Sequence, residues 1–106
     1  MRPGIAFVVV MGLVASATVA TAEPVASRRD QLRDMVAQDC GSCHGMTRKG
    51  GLGSPLLPEL LAQYPAEGLI ETILDGRPGT PMPPWKSMLS RDDAAWMVAY
   101  LLGEVK

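Results

Sequence analysis

Residues 40–44 read Cys-Gly-Ser-Cys-His, and this stretch decides how the rest of the chain is read. It holds both cysteines and the one histidine of the 106 residues. Cys-x-x-Cys-His is the pattern of covalent haem attachment. The two thiols form thioethers with the haem vinyl groups, and the adjacent imidazole becomes an axial ligand of the iron. At about 3.6 residues per helical turn, Cys40, Cys43 and His44 fit one turn of helix beneath the porphyrin. Two other readings of these residues are weaker. A thioredoxin-type redox pair sits in a strand–helix–strand setting, and no strand pattern flanks Cys40. A zinc site needs three or four ligands, and here a neighbouring carboxylate would have to complete it.

Toward the N-terminus, residues 1–22 have the layout of a secretory signal peptide. Arg2 is basic, Ile5 to Ala17 forms an apolar core too short to span a bilayer comfortably, and Ala20-Thr21-Ala22 is an A-x-A cleavage site. Cleavage after Ala22 would leave Glu23 first. The alternative is an uncleaved N-terminal anchor, against which the short core and the triplet both speak; no stable membrane anchor is expected. Export to the periplasm fits covalent haem attachment, which in bacteria takes place outside the cytoplasmic membrane. Residues 23–106 then form one monohaem domain. A domain this small buries a modest core and needs a staple. With both cysteines committed, haem c is the staple. Ten Lys and Arg stand against eleven Asp and Glu, and Arg2 falls in the leader, so the domain is mildly acidic. That argues against nucleic acid as a partner.

Toward the C-terminus the pattern is helical throughout. Ser27 is a candidate cap, with Asp30 three residues on, for a helix to about Gln38. Leu32, Met35, Val36 and Cys40 fall on one face of it. Residues 46–55 (MTRKGGLGSP) read as loop; no Gly-Lys-Ser/Thr follows, so this is not a phosphate loop. A short helix is predicted over 58–64 and another over 65–75, closed by Gly76 and presenting Leu69, Ile70, Ile73 and Leu74. Residues 76–89 hold four prolines and cannot be regular helix or strand. Ser90 caps the last helix, with Asp92 and Asp93 in its first turn. That helix runs from Arg91 to about Leu102, stops at Gly103, and offers Trp96, Ala99, Tyr100 and Leu102 for packing. No segment alternates like a strand. The predicted class is all-α, with short helices and long loops around one cofactor.

A six-coordinate haem needs a second axial ligand, and with no second histidine a methionine thioether is the natural donor. Met46 is too close to His44 to cross to the other face. Met35 and Met97 lie in predicted helices, where packing is their expected work. Met82 and Met88 remain. Met82 is preferred because Pro81, Pro83 and Pro84 fix the backbone around it, so little entropy is lost in presenting its sulfur. Met88 and a vacant position are the alternatives.

The order of capped helix, Cys-x-x-Cys-His, Gly-rich loop, helix, Pro-flanked Met and terminal helix resembles the small class I c-type cytochromes over residues 27–103. The resemblance implies the class I cytochrome c fold, with the haem in a slot and one edge exposed. It also implies that the carbonyl of Pro55, in Ser54-Pro55-Leu56-Leu57, accepts a hydrogen bond from the His44 imidazole; Ser54 stands where the family has Gly. The runs CHGMTRKGGLGSPLLPE, ILDGRPGTPMPPW and DDAAWMVAYL are similar, more narrowly, to the periplasmic cytochromes c encoded with the dissimilatory haem c/haem d nitrite reductase (NirC-like, cytochrome c-55X type). This implies an electron carrier, not an enzyme, donating to that reductase in denitrification. The alternative is a redox accessory role in making its haem d. The expected state is a monomer in transient complexes with redox partners. Trp85 is placed to give its indole N–H to a haem propionate and cover the haem edge, or else to pack in the core. Arg48, Lys49, Arg77 and Lys86 are candidates for a basic docking rim; Arg48 and Arg77 are also candidates for propionate pairing.

Overall fold

The first regular element, α1 (Ala26–Met35), runs without a break into a π turn (Val36–Cys40) and then into α2 (Gly41–His44). The structure, a computed structural model, describes residues 3–6, 8–16 and 23–106. The Ala20-Thr21-Ala22 triplet lies outside the described residues. Residues 3–6 and 8–16 form no helix, and their apolar side chains are exposed. Among the described residues no helix is long and apolar enough to cross a membrane.

The start of α1 differs from expectation. Val25, extended at φ −62° and ψ 158°, is the N-cap, and no side chain caps the helix. Ser27 therefore lies inside the first turn, and Asp30 pairs with Arg33 at 2.8 Å instead of serving a capping box. The helical run extends to the haem-attachment motif because the π turn continues it. The Gly41 N–H reaches back five residues to the Val36 carbonyl.

Two short helices, α3 (Pro58–Leu61) and α4 (Ala66–Asp75), lead to the proline-rich segment 76–89 and then to α5 (Arg91–Leu101). Helix α5 carries a full capping box between Ser90 and Asp93. Its buried face is only in part the one expected: Trp96 is buried in the core. Met97, Val98 and Leu101 are enclosed, while Ala99, Tyr100 and Leu102 are only half-buried. The reason is that α5 has two neighbours. Trp96, Met97 and Leu101 pack with Leu32 and Val36 on one side, while Ala94 and Val98 pack with Ile70 of α4 on the other. The Trp96 and Tyr100 rings stack at 5.4 Å, with the Arg33 guanidinium over both. No strand forms among the described residues.

The irregular segments are held by backbone bonds. In the Gly-rich loop, Gly50 N–H donates to the His44 carbonyl (2.9 Å) and Gly53 N–H to the Cys43 carbonyl (2.8 Å). The proline-rich segment caps α4. Trp85 and Lys86 donate to the carbonyls of Ile73 and Leu74, each at 3.1 Å. These are last-turn carbonyls with no partner inside the helix.

Candidate functional site

Loop 45–57, α3, α4 and segment 76–89 surround a cleft of about 810 Å³. Cys40, Cys43, His44, Pro55, Met82 and Trp85 all line it, so one cavity brings together every predicted site residue. Met82 is half-buried there and also borders a small side chamber with Met35 and Met97. Met88 is 58% exposed and does not line the cleft.

The imidazole is set by the loop that follows it. His44 Nδ1 lies 2.6 Å from the Ser54 carbonyl oxygen. A carbonyl can only accept, so Nδ1 carries the proton and Nε2 is left as the ring nitrogen free to ligate. The acceptor is thus Ser54, one residue before Pro55, which the resemblance implied. Pro55 instead has its ring against Gly50, and Leu56 N–H is bonded to the Arg48 carbonyl (2.9 Å), which turns the chain at that point. Gly53 completes the seat. A Cβ there would lie 2.7 Å from both Cε1 and Nδ1 of His44. Gly53→Ala is therefore expected to push the ring off the Ser54 carbonyl, at a cost of about 2 kcal/mol. A lowered denaturation midpoint together with a shifted imidazole resonance would show it.

The thiols differ in setting. Cys40 is packed against the core. Burial pushes its thiol pKa up, and the neighbouring Asp39 carboxylate adds to the rise. Cys43 is half-buried, one residue from Ser42, whose hydroxyl donates to the Asp39 carbonyl at 2.8 Å.

Of the four cations named for a docking rim, Arg77 alone lines the cleft. Lys86 pairs with Asp75 at 3.8 Å. Arg48 sits in the left-handed region at φ 59°. Sequence reasoning missed Gly53, the Ser54 carbonyl, and the wall that Leu60, Leu61 and Tyr64 contribute to the cleft. Only Gly53 left a signal, as part of a glycine-dense run directly after the histidine.

The donor set suits a covalently held haem: two thiols, an imidazole with Nε2 free and a thioether converge on one largely apolar cavity. The comparisons agree. Residues 27–101 match the family model described as cytochrome C oxidase, cbb3-type, subunit III. A cytochrome c55X of Pseudomonas aeruginosa is 53% identical over 88 residues, covering 82% of this chain and 74% of the relative. The solved structure of a c-type cytochrome NirC is 54% identical with a TM-score of 0.74, covering 76% of this chain and 95% of that one. A second solved structure, the dihydro-heme d1 dehydrogenase NirN in complex with DHE, is 40% identical with a TM-score of 0.61. That match covers 66% of this chain but only 15% of the other.

Proposed function

The chain belongs to the c-type cytochromes, with cytochrome c55X among its close relatives, and from that premise we propose that it carries single electrons in the periplasm to dissimilatory haem c/haem d nitrite reductase. Its cofactor is covalently bound haem c and it is an electron carrier. When bound, the haem supplies an iron that takes up and returns one electron. In this reading Cys40 and Cys43 anchor it as thioethers. His44 presents Nε2, oriented by the Ser54 carbonyl, and Met82 presents its sulfur from the proline-rich segment. The segment's anchorage on α4 holds that sulfur in place without regular structure of its own. Trp85 and Pro55 wall the cleft. Cleavage after Ala22 and residues 23–106 as the haem domain remain part of the proposal.

The convergence of His44, both cysteines and Met82 on one cleft, with Met88 outside it, carries the reading. Two measurements test it. Met82→Ala is expected to abolish the weak band at the red end of the oxidised spectrum and to lower the reduction potential by on the order of 100 mV, since a thioether ligand raises it. Met88→Ala should leave both unchanged. In stopped flow, the reduced protein should then be oxidised rapidly by the reductase with nitrite, and more slowly as salt rises. Slow oxidation at every salt concentration would sink the donor role.

One observation favours a second reading, a redox role in haem d biogenesis. A domain like this chain is part of a protein named dihydro-heme d1 dehydrogenase. Removing two hydrogens from a dihydro compound releases two electrons and two protons, and two one-electron carriers would accept the electrons. Reduction of the oxidised protein by that enzyme and its dihydro substrate, with no oxidation by the reductase, would move the assignment there.

A further inference from the structure

Backbone bonds, core packing and polar side-chain contacts hold the segment that carries Met82. At its base the contacts are backbone bonds to the end of α4, joined by Arg77 N–H to the Met82 carbonyl at 3.2 Å. At its far end Leu89 is buried in the core with Leu32, Val36 and Met97, and one side chain from α1 bonds the backbone beside it. Arg28 Nη2 donates to the Met88 carbonyl at 2.9 Å and to Asp93 Oδ2 at 2.8 Å. Its Nε lies 3.3 Å from the same carboxylate oxygen, and Nη1 donates to Gln31 at 2.9 Å. Asp93 is 8% exposed, the one buried charged residue among those described. Its Oδ2 also accepts the Ser90 N–H at 3.1 Å, and Ser90 Oγ accepts the Asp93 N–H at 3.0 Å. A single guanidinium therefore ties α1, the end of segment 76–89 and the first turn of α5 into one knot.

Packing of α1 on α5 does not require that knot. Leu32, Val36, Trp96, Met97 and Leu101 already bury that interface, and Arg33 stacks over Trp96 and Tyr100. The bond from Arg28 to the Met88 carbonyl reaches beyond the interface to the loop. Pro83 and Pro84 carry no N–H, so few amides there can hold the loop down. A planar fork with five donors suits two acceptors at once, whereas an ammonium is a point charge.

We propose that Arg28 is a positioning residue for the distal methionine: it latches segment 76–89 over the cleft and limits the opening through which an outside ligand replaces Met82. The proposal rests on Met82 as the axial ligand.

The test is the rate at which added imidazole displaces the methionine in oxidised holoprotein, read by loss of the red band. Arg28→Ala should accelerate displacement at least tenfold. Arg28→Lys keeps the charge facing Asp93 but lacks the fork, and should fall between Arg28→Ala and the parent. The control is Arg33→Ala, which removes a contact between α1 and α5 that does not touch the loop. It should lower the denaturation midpoint and leave the displacement rate within twofold. An unchanged rate in Arg28→Ala overturns the latch, as does equal acceleration in Arg33→Ala. If Arg28→Ala does not fold, a parental rate in Arg28→Lys overturns it too. Persistence of the red band in Met82→Ala would instead defeat the ligand reading on which the latch depends.

Discussion

Replacing Gly76 with alanine is expected to destabilise the protein by about 4 kcal/mol and to displace Met82. Gly76 is buried at the C-terminus of α4 with φ 67° and ψ −167°, a conformation that side-chain-bearing residues rarely adopt. A Cβ there would lie 2.6 Å from the Pro83 carbonyl carbon and 2.7 Å from both the Met82 oxygen and the Pro84 nitrogen. All three are backbone atoms, in a stretch stiffened by two prolines, so none can swing aside as a side chain could. Relief requires lifting the segment off α4, which breaks the bonds from Trp85 and Lys86 to the carbonyls of Ile73 and Leu74. Gly79→Ala is the matched control. Gly79 also has positive φ, 77°, but nothing lies within 4 Å of its absent Cβ. It should cost only the backbone term, about 1 kcal/mol, and leave the red band intact. Equal losses in the two variants would mean that the contact with the Met82 segment is not what fixes Gly76.

These glycines show where sequence reading succeeds and where it stops. The capped last helix, and the residues that the structure brings to one cleft (Cys40, Cys43, His44 and Met82), were legible because each is marked by a local pattern. Ser90 caps the last helix as expected, and Asp93 in its first turn closes a capping box with it. Gly76 was legible as a helix stop, since a residue of positive φ commonly closes a helix. Its contact with Met82 to Pro84 was not, because that depends on a loop returning to the end of α4. The face of α5 was read only in part, through Trp96, for the same reason: periodicity finds one apolar stripe, and this helix is buried by two neighbours at once. At Pro55 the motif gave the right turn and the wrong carbonyl. A one-residue difference in which C=O meets an imidazole depends on how Gly53 lets the loop approach, and that is a matter of distances. Arg28 left no trace as a loop contact, since its partners lie 60 and 65 residues away.

Asp93→Ala is expected to cost about 3 kcal/mol at neutral pH, from the lost cap of α5 together with the lost partner of Arg28. Because Arg28 is partly exposed, with its side chain 31% accessible, its guanidinium can rehydrate, which keeps the figure at the low end for a broken pair. Asp93→Asn keeps a capping side chain but loses the charge, so it should recover roughly half of that difference. The same geometry fixes the sign of the acid response. The bond from Arg28 holds the Asp93 carboxyl below its ordinary value of 3.8. The Ser90 contacts act in the same direction, and burial opposes them. A carboxyl whose folded pKa lies below its unfolded pKa adds stability above the unfolded value and loses it as pH falls through the folded one. The parent should therefore lose more stability than Asp93→Asn between neutral pH and about pH 2, and the two should converge at the acid end. Denaturation midpoints of both chains across that range decide the matter. Parallel loss would mean that Asp93 titrates as an ordinary carboxyl and that the knot at the head of α5 is held by packing rather than by charge.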